Sequence, residues 1–179
     1  RPLMINSDKK SEQSLFWKGR ITMAIRNIVK DTDNYDTLHK KCRPVTEFNQ
    51  KLWDLLDDMA ETMYQAEGVG LAGPQVGMLR RVFVIDVGEG ILEFINPEIL
   101  ETSGTQNGAE GCLSFPGEYG MVERPNFVRV KAQDRNGNWF EMEGEELFAR
   151  AVCHENDHLD GIVFKDRMSR ILTEEELAD

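Results

Sequence analysis

The sequence predicts an α+β fold: mostly antiparallel sheet, with a long helix in the N-terminal half and a second long helix after the strands. Three observations carry that expectation. Apolar side chains recur every three or four positions between residues 46 and 68, which is the helical period. Short apolar runs broken by turn residues then fill residues 81 to 145. A second helical pattern closes the series over 144–161. The strands thus come as a run between two helices and do not alternate with them, which favours an antiparallel sheet over strand–helix–strand units.

Each element follows from its residues. In "TEFNQKLWDLLDDMAETMYQAEG", Phe48, Leu52, Leu55, Leu56, Met59 and Met63 form one stripe; Thr46 is a suitable cap and Gly68 a stop. This stripe is core packing. "GVGLAGPQVG", residues 68–77, holds four glycines and a proline, and is expected to be neither regular helix nor strand interior. "RRVFVIDVG" supplies a buried strand around Val82–Val87, and "ILEFINPEIL" a second, ending near Asn96–Pro97. "ETSGTQNGAEGCLSFPGEYG" is strand, then loop. "NFVRVKAQD" and "NWFEMEGE" alternate in polarity around "RNG", a hairpin signal. "GEELFARAVCHENDHLDG" is the second long helix, closed by Gly161. The acidic tail Arg170–Asp179 is helix-forming.

Composition bounds the function. The chain has 179 residues, enough for one domain with a sizeable core; 40% are hydrophobic and 30% charged. A net charge of −11 excludes a broad electrostatic grip on nucleic acid. No run of 18 apolar residues offers a membrane span, and the first residues lack the apolar centre of a secretory signal, so a cytoplasmic location is the default. Residues 1–22 are polar and aperiodic, whereas Met23 reads like a natural start. We expect an appended leader or extension over 1–22 and a single catalytic domain over 23–179. Three widely spaced cysteines, Cys42, Cys112 and Cys153, argue against a disulfide framework.

Two of the three histidines stand four apart in "AVCHENDHLDG". On a helix, positions i and i+4 share a face, so His154 and His158 converge about 6 Å apart along the axis. Leu147 and Ala151 continue the stripe, turning that face inward. Two imidazoles there fill two corners of a metal's coordination shell. Glu155 sits one residue on, within reach of a water at the ion, which makes this a metal-binding helix with its own general base.

The third ligand follows by elimination. A third histidine in the extended H-E-x-x-H-x-x-G-x-x-H pattern is absent, because that position is Phe164. His39 lies far upstream, and Glu174 to Glu176 fall too close to the end to be supported. Cys112, in the glycine-containing "EGCLS", is the best candidate, and its thiolate binds divalent transition metals strongly. Cys153 adjoins His154 and points roughly 100° away from it. Two imidazoles and one thiolate leave a fourth position open, as hydrolysis requires. Glu110 either orients a ligand histidine or is a solvated loop acid, and the sequence leaves the two readings equal. A small metallopeptidase or other zinc amidase uses the same helix and remains the rival reading.

Together, "GVGLAGPQVG" (68–77), "EGCLS" (110–114) and "HENDH" (154–158) resemble the three motifs of bacterial peptide deformylases, in order and with similar intervening lengths, over about Met23 to Arg170. The resemblance implies mostly antiparallel sheets packed around a central metal-binding helix, and removal of the N-formyl group from the formyl-methionine of new polypeptides, with release of formate. It implies Cys112, His154 and His158 as metal ligands, Glu155 as general base, and the Gln75 side-chain amide and Leu113 N–H as donors to the developing oxyanion. It implies Fe(II) in the cell, with zinc, nickel or cobalt as replacements, and a supporting Arg124–Asp157 ion pair. Extended backbone at Val69–Gly70 and Gly111 is expected to pair with the substrate main chain. Val69, Leu113, Phe115, Val152 and His154 would wall a pocket for the methionine side chain, with Tyr119 at the rim. Two positions depart from the family habit, Gly73 for alanine and Cys153 for glutamine. Proximity to the ribosome is implied, although the family's docking tail, where described, is basic and this tail is acidic.

Overall fold

The computed structural model describes residues 24–178; the expected leader over 1–22 lies outside the described residues. The order of elements is α1 (Asp31–Leu38), α2 (Gln50–Gln65), β1 (Gly70–Ala72), a 3-10 turn (Gly73–Val76), β2 (Val82–Ile85), β3 (Leu92–Ser103), β4 (Gln106–Cys112), β5 (Phe115–Arg124), β6 (Phe127–Gln133), β7 (Trp139–Glu145), α3 (Leu147–Leu159), α4 (Phe164–Arg167), β8 (Arg170–Ile171) and α5 (Glu174–Ala178). The strands form two antiparallel sheets, one in the order β1-β2-β3-β6-β7 and one in the order β4-β5-β8. The expected mixture of helix and antiparallel sheet is what the chain adopts.

The five-stranded sheet is covered on both faces, and β2 shows why its run "VFVI" is continuously apolar. Val82 and Val84 pack with Leu52, Leu55, Leu56, Met59 and Met63 of α2. Phe83 and Ile85 point the other way, to Ala149, Val152 and Leu159 of α3. Fully burying each such side chain contributes on the order of 2 kcal/mol. A third cluster joins Phe115 and Val122 of β5 to Leu38 of α1 and Phe164 of α4. Helix α3 therefore touches strands of both sheets.

Several boundaries differ from the sequence expectation. Helix α2 is capped by Asn49, whose side chain accepts from Leu52 N–H, and not by Thr46. Residues 70–72, expected to be irregular, form strand β1, paired Gly70–Ile85 to Ala72–Phe83; only the following turn is irregular. Strand β3 does not end at Pro97. Register shifts between Ile95 and Glu98 and between Ile99 and Glu101, with Asn96 at φ 51°, absorb the proline, and the strand runs on to Ser103. Residues 106–124 are a two-stranded pairing, not a strand followed by loop, so Cys112 is the last residue of β4. The β6–β7 hairpin forms as expected, in the register Phe127–Glu145 to Gln133–Trp139. Gly161 stops α3 at φ 74°, and a Cβ there would meet His39 O at 2.6 Å, so the position requires glycine twice over.

Candidate active site

The two sheets present their edges to one cleft. Strand β1 is the edge of the larger sheet and β4 the edge of the smaller. Between them a cavity is lined by Glu67 to Gly70, Gln75, Gly111 to Leu113, Phe115 to Tyr119, and Ala151, His154 and Glu155 of α3. Val69, Gly70, Gly111, Leu113, Phe115 and Tyr119 line it as the sequence suggested. Val152 does not: it faces the larger sheet, fully buried in the core, and Ala151 takes its place at the cavity. Leu147 is only half-buried, whereas Ala151 is buried.

Helix α3 delivers His154 and His158 from consecutive turns, their ring centroids 5.0 Å apart. The end of β4 brings Cys112 to them across the cleft. One donor atom from each of the three residues lies within 4.8 Å of the others, and Cys112 Sγ is 3.4 Å from His158 Nε2. Thiolate and imidazole donors at that spacing suit a divalent transition metal. A buried polar atom beside them strengthens the fit, because it finds no protein partner: Glu155 Oε2. Cys153, the other cysteine of α3, is buried away from this group, and burial pushes its thiol up to about 11.

Behind His154 stands a buried polar network. His154 Nδ1 meets Glu110 Oε1 in a short hydrogen bond. Arg124 spans the same carboxylate, with Nη2 to Oε1 at 2.6 Å and Nε to Oε2 at 3.1 Å, and its Nη1 reaches Asp157 Oδ2 at 2.6 Å. Arg150 Nη1 donates to Glu110 Oε2 at 2.7 Å, and Arg167 closes on Asp157. Burial works to raise the Glu110 pKa, but the His154 and Arg124 charges and hydrogen bonds outweigh it and hold the carboxyl well below its ordinary range. The same pair acts on His154, where burial opposes a charge and Glu110 overrides it, taking the ring well above its ordinary value. On His158 burial prevails, reinforced by the charges of His154 and Arg124, and lowers it well below.

In front of His154 the polar groups are sparse. Glu155 is buried and its carboxyl packs on Gly70, where a Cβ would meet Oε1 at 2.6 Å. Burial pushes its pKa up to about 7, only partly offset by the His154 charge. Gln75 Oε1 accepts from Ala72 N–H at 3.0 Å, which turns the amide NH₂ into the cavity, toward Cys112 Sγ (3.3 Å) and Ser114 Oγ (3.2 Å). The turn bearing Gln75 is tight: a Cβ on Gly73 would meet Met78 O at 2.6 Å, so alanine has no room at this position of the chain.

Arg167 escaped the sequence reading, and so did three further participants. Arg150 lies one turn before His154 on the same buried stripe, and a cation there was the available signal. Ser114 is the last residue of the second motif, where only Cys112 and Leu113 were given roles at the reaction centre. Phe164 occupies the place where an extended histidine pattern would put its third ligand; its ring stacks on His154, 6.4 Å between centroids and 19° between planes.

The comparisons with known proteins agree with this geometry. The profile of the family described as Polypeptide deformylase matches residues 25–174. The peptide deformylase of Thermoanaerobacter pseudethanolicus is 57% identical over 154 residues, covering 86% of this chain and 96% of that protein. That of Clostridium botulinum is 54% identical over 148 residues, 83% of this chain and 99% of that protein. Among solved structures, the Thermotoga maritima peptide deformylase superposes with a TM-score of 0.79 at 44% identity, over 82% of this chain and 99% of that one. A Synechococcus elongatus peptide deformylase in complex with actinonin gives 0.76 at 36% identity, over 84% of each chain. The chain belongs to the polypeptide deformylase family.

Proposed function

We propose that this chain is a peptide deformylase, a hydrolase that removes the N-formyl group from formyl-methionyl peptides during protein biosynthesis and releases formate. The observation that carries the reading is the meeting of the Cys112 thiol with His154 and His158 in a cleft that also holds a glutamate with one unpartnered oxygen. Residues 23–179 act as one catalytic domain. Cys112, His154 and His158 hold a single divalent ion, Fe(II) in the cell, with zinc, nickel or cobalt as substitutes. When bound, such an ion polarises a carbonyl and lowers the pKa of water.

The protein's own groups supply the rest. Glu155, with a pKa about 7, takes a proton from the attacking water and returns it to the departing amine. The Gln75 NH₂, its orientation fixed by Ala72, and the Leu113 N–H donate to the formyl oxygen as negative charge grows on it. Glu110 holds the His154 ring through Nδ1, so that Nε2 faces the cleft, with Arg124 and Asp157 supporting it. The peptide lies between the edges of β1 and β4 as an added strand, along Val69–Gly70 and Gly111, and its methionine side chain enters among Val69, Leu113, Phe115 and Ala151, with Tyr119 at the rim. The enzyme works in the cytoplasm, in transient proximity to the ribosome. No helix among the described residues is long and apolar enough to cross a membrane. The rival peptidase reading is not favoured, since the group meeting the two histidines is a thiol and not a third carboxylate or imidazole.

Formate release from formyl-Met-Ala-Ser, with metal analysis of the same sample, tests the proposal. Turnover with about one ion per chain is expected in wild type, and loss of the ion in Cys112→Ser. A folded, metal-loaded wild type that releases no formate overturns it.

A further inference from the structure

Arg150 is a buried cation that the reaction just described does not use. Its side chain is 6% exposed, and among the described residues its hydrogen-bond partners are Glu110 and a backbone carbonyl. One nitrogen, Nη1, makes both bonds: 2.7 Å to Glu110 Oε2 and 3.1 Å to Val122 O on β5. The strand side makes room for it. Gly108 of β4 lies against the guanidinium, and a Cβ there would come within 3.3 Å of Nη2. A buried arginine with a built berth and a committed nitrogen is costly to maintain unless it is fully paired.

Its position relative to His154 gives it a use. Glu110 receives four donors, two on each oxygen: His154 Nδ1 and Arg124 Nη2 on Oε1, Arg150 Nη1 and Arg124 Nε on Oε2. Arg124 belongs to β5, the direct neighbour of β4, so its grip on Glu110 lies within one sheet. Arg150 belongs to α3, the helix that carries both rings. It ties the far oxygen of the carboxylate to that helix one turn before His154, while Asp157, through Arg124, ties it three residues after. The two links bracket His154. With Oε2 pinned, Oε1 is the oxygen left to face Nδ1, and the imidazole plane is set with Nε2 toward Cys112 and His158.

We propose that Arg150 is a positioning residue: it fixes the rotation of the Glu110 carboxylate, and through it the ring of His154 and the geometry of the thiolate–bis-imidazole set. The inference rests on the metal-hydrolase reading above. It extends that reading to a residue outside the three sequence motifs, and it makes metal affinity, not substrate binding, the property Arg150 controls. Partners that orient a metal-ligating histidine typically govern affinity or activity by about 10–100-fold.

The test compares wild type, Arg150→Met and Arg150→Lys, each confirmed folded by near-ultraviolet circular dichroism. Co(II) is the probe, with affinity measured by competition against a chromophoric chelator and coordination read from the visible absorption bands. Arg150→Met is expected to bind Co(II) at least about 10-fold more weakly. Its absorption bands should shift, and kcat should fall while KM for formyl-Met-Ala-Ser stays within about twofold of wild type. Because a single nitrogen makes both bonds, a point charge serves in part, and Arg150→Lys should recover some of the lost affinity. Should Arg150→Met not fold, Arg150→Gln, which keeps one donor, takes its place under the same criteria. Folded Arg150→Met with wild-type Co(II) affinity and unchanged bands overturns the proposal. So does Arg150→Lys no better than Arg150→Met, since packing alone would then explain the loss. A wild type that neither binds Co(II) nor releases formate removes the metal-hydrolase reading itself, and this inference with it.

Discussion

Two glutamates flank His154, and the protein treats them in opposite ways. Glu110, behind the ring, is gripped by two arginines and the imidazole, and is held as a carboxylate well below its ordinary pKa. Glu155, in front, is as deeply buried, yet one of its oxygens has no partner and its pKa rises to about 7. The rear wall spends its hydrogen bonds on fixing a charge. The front wall leaves one unfixed, so that a proton can come and go near neutral pH. A buried acid with one oxygen left unpaired is a stability loss accepted for reactivity.

The largest effect should come from the front wall. Glu155→Ala removes the general base and is expected to lower formate release by roughly 10²–10⁴-fold. Bound metal should stay at the wild-type level, because the three donor atoms are untouched. The melting temperature should be unchanged or higher, since the variant loses a buried carboxyl whose Oε2 has no partner and whose Oε1 has only His154 Nε2 at 3.9 Å. A fall in melting temperature as large as that of a rear-wall variant would erase the contrast drawn above.

Gln75→Ala comes next. Its amide is turned into the cavity by Ala72 N–H, so the loss of its donor should act on the transition state. A drop of roughly 10²–10³ in kcat with little change in KM is expected from steady-state kinetics. An equal rise in KM would mean that Gln75 binds the ground state, and would move it from the front wall's chemistry to its architecture.

The front wall was far easier to find in the sequence than the rear one. Glu155, His154 and His158 fall within five consecutive residues of one helix, where local spacing alone fixes which side chains share a face. Cys112 could be reached by elimination because the chain has only three histidines and three cysteines. The rear wall is tertiary. Glu110 comes from β4, Arg124 from β5, Arg150 and Asp157 from α3 and Arg167 from α4, and no spacing rule joins four elements. Arg150 stayed hidden for a second reason: a lone arginine on an apolar stripe is invisible until its partner is placed. The strands show the same division. The β6–β7 hairpin announced itself through alternation around Asn136–Gly137, but β1 is three residues long within a glycine-rich segment, and its strand character comes entirely from pairing with β2. Pro97 signalled a strand end because a proline normally breaks a ladder; the bulge at Asn96 that accommodates it has no local signature strong enough to compete.

The last prediction concerns the rear wall and is expressed as stability. Glu110→Gln removes the charge that pairs with Arg124 and Arg150, and should destabilise the fold at neutral pH by on the order of 3 kcal/mol, as for other broken buried ion pairs. The pH dependence has a definite sign. Because the folded-state pKa of Glu110 lies below its ordinary value of 4.5, the folded protein binds fewer protons at that group than the unfolded chain in the interval between the two. Its contribution to stability is therefore complete above pH 4.5 and declines as pH falls toward the folded value. Urea denaturation of wild type and Glu110→Gln in parallel should show a constant difference from pH 7 down to about 5, and a shrinking one below 4.5. Subtracting the two curves isolates this one carboxylate from the many acidic groups at the surface. A difference that grows on acidification would mean that Glu110 is protonated in the native protein at neutral pH, leaving Arg124 and Arg150 without an ionised partner, and the contrast between a fixed and a free glutamate would fail.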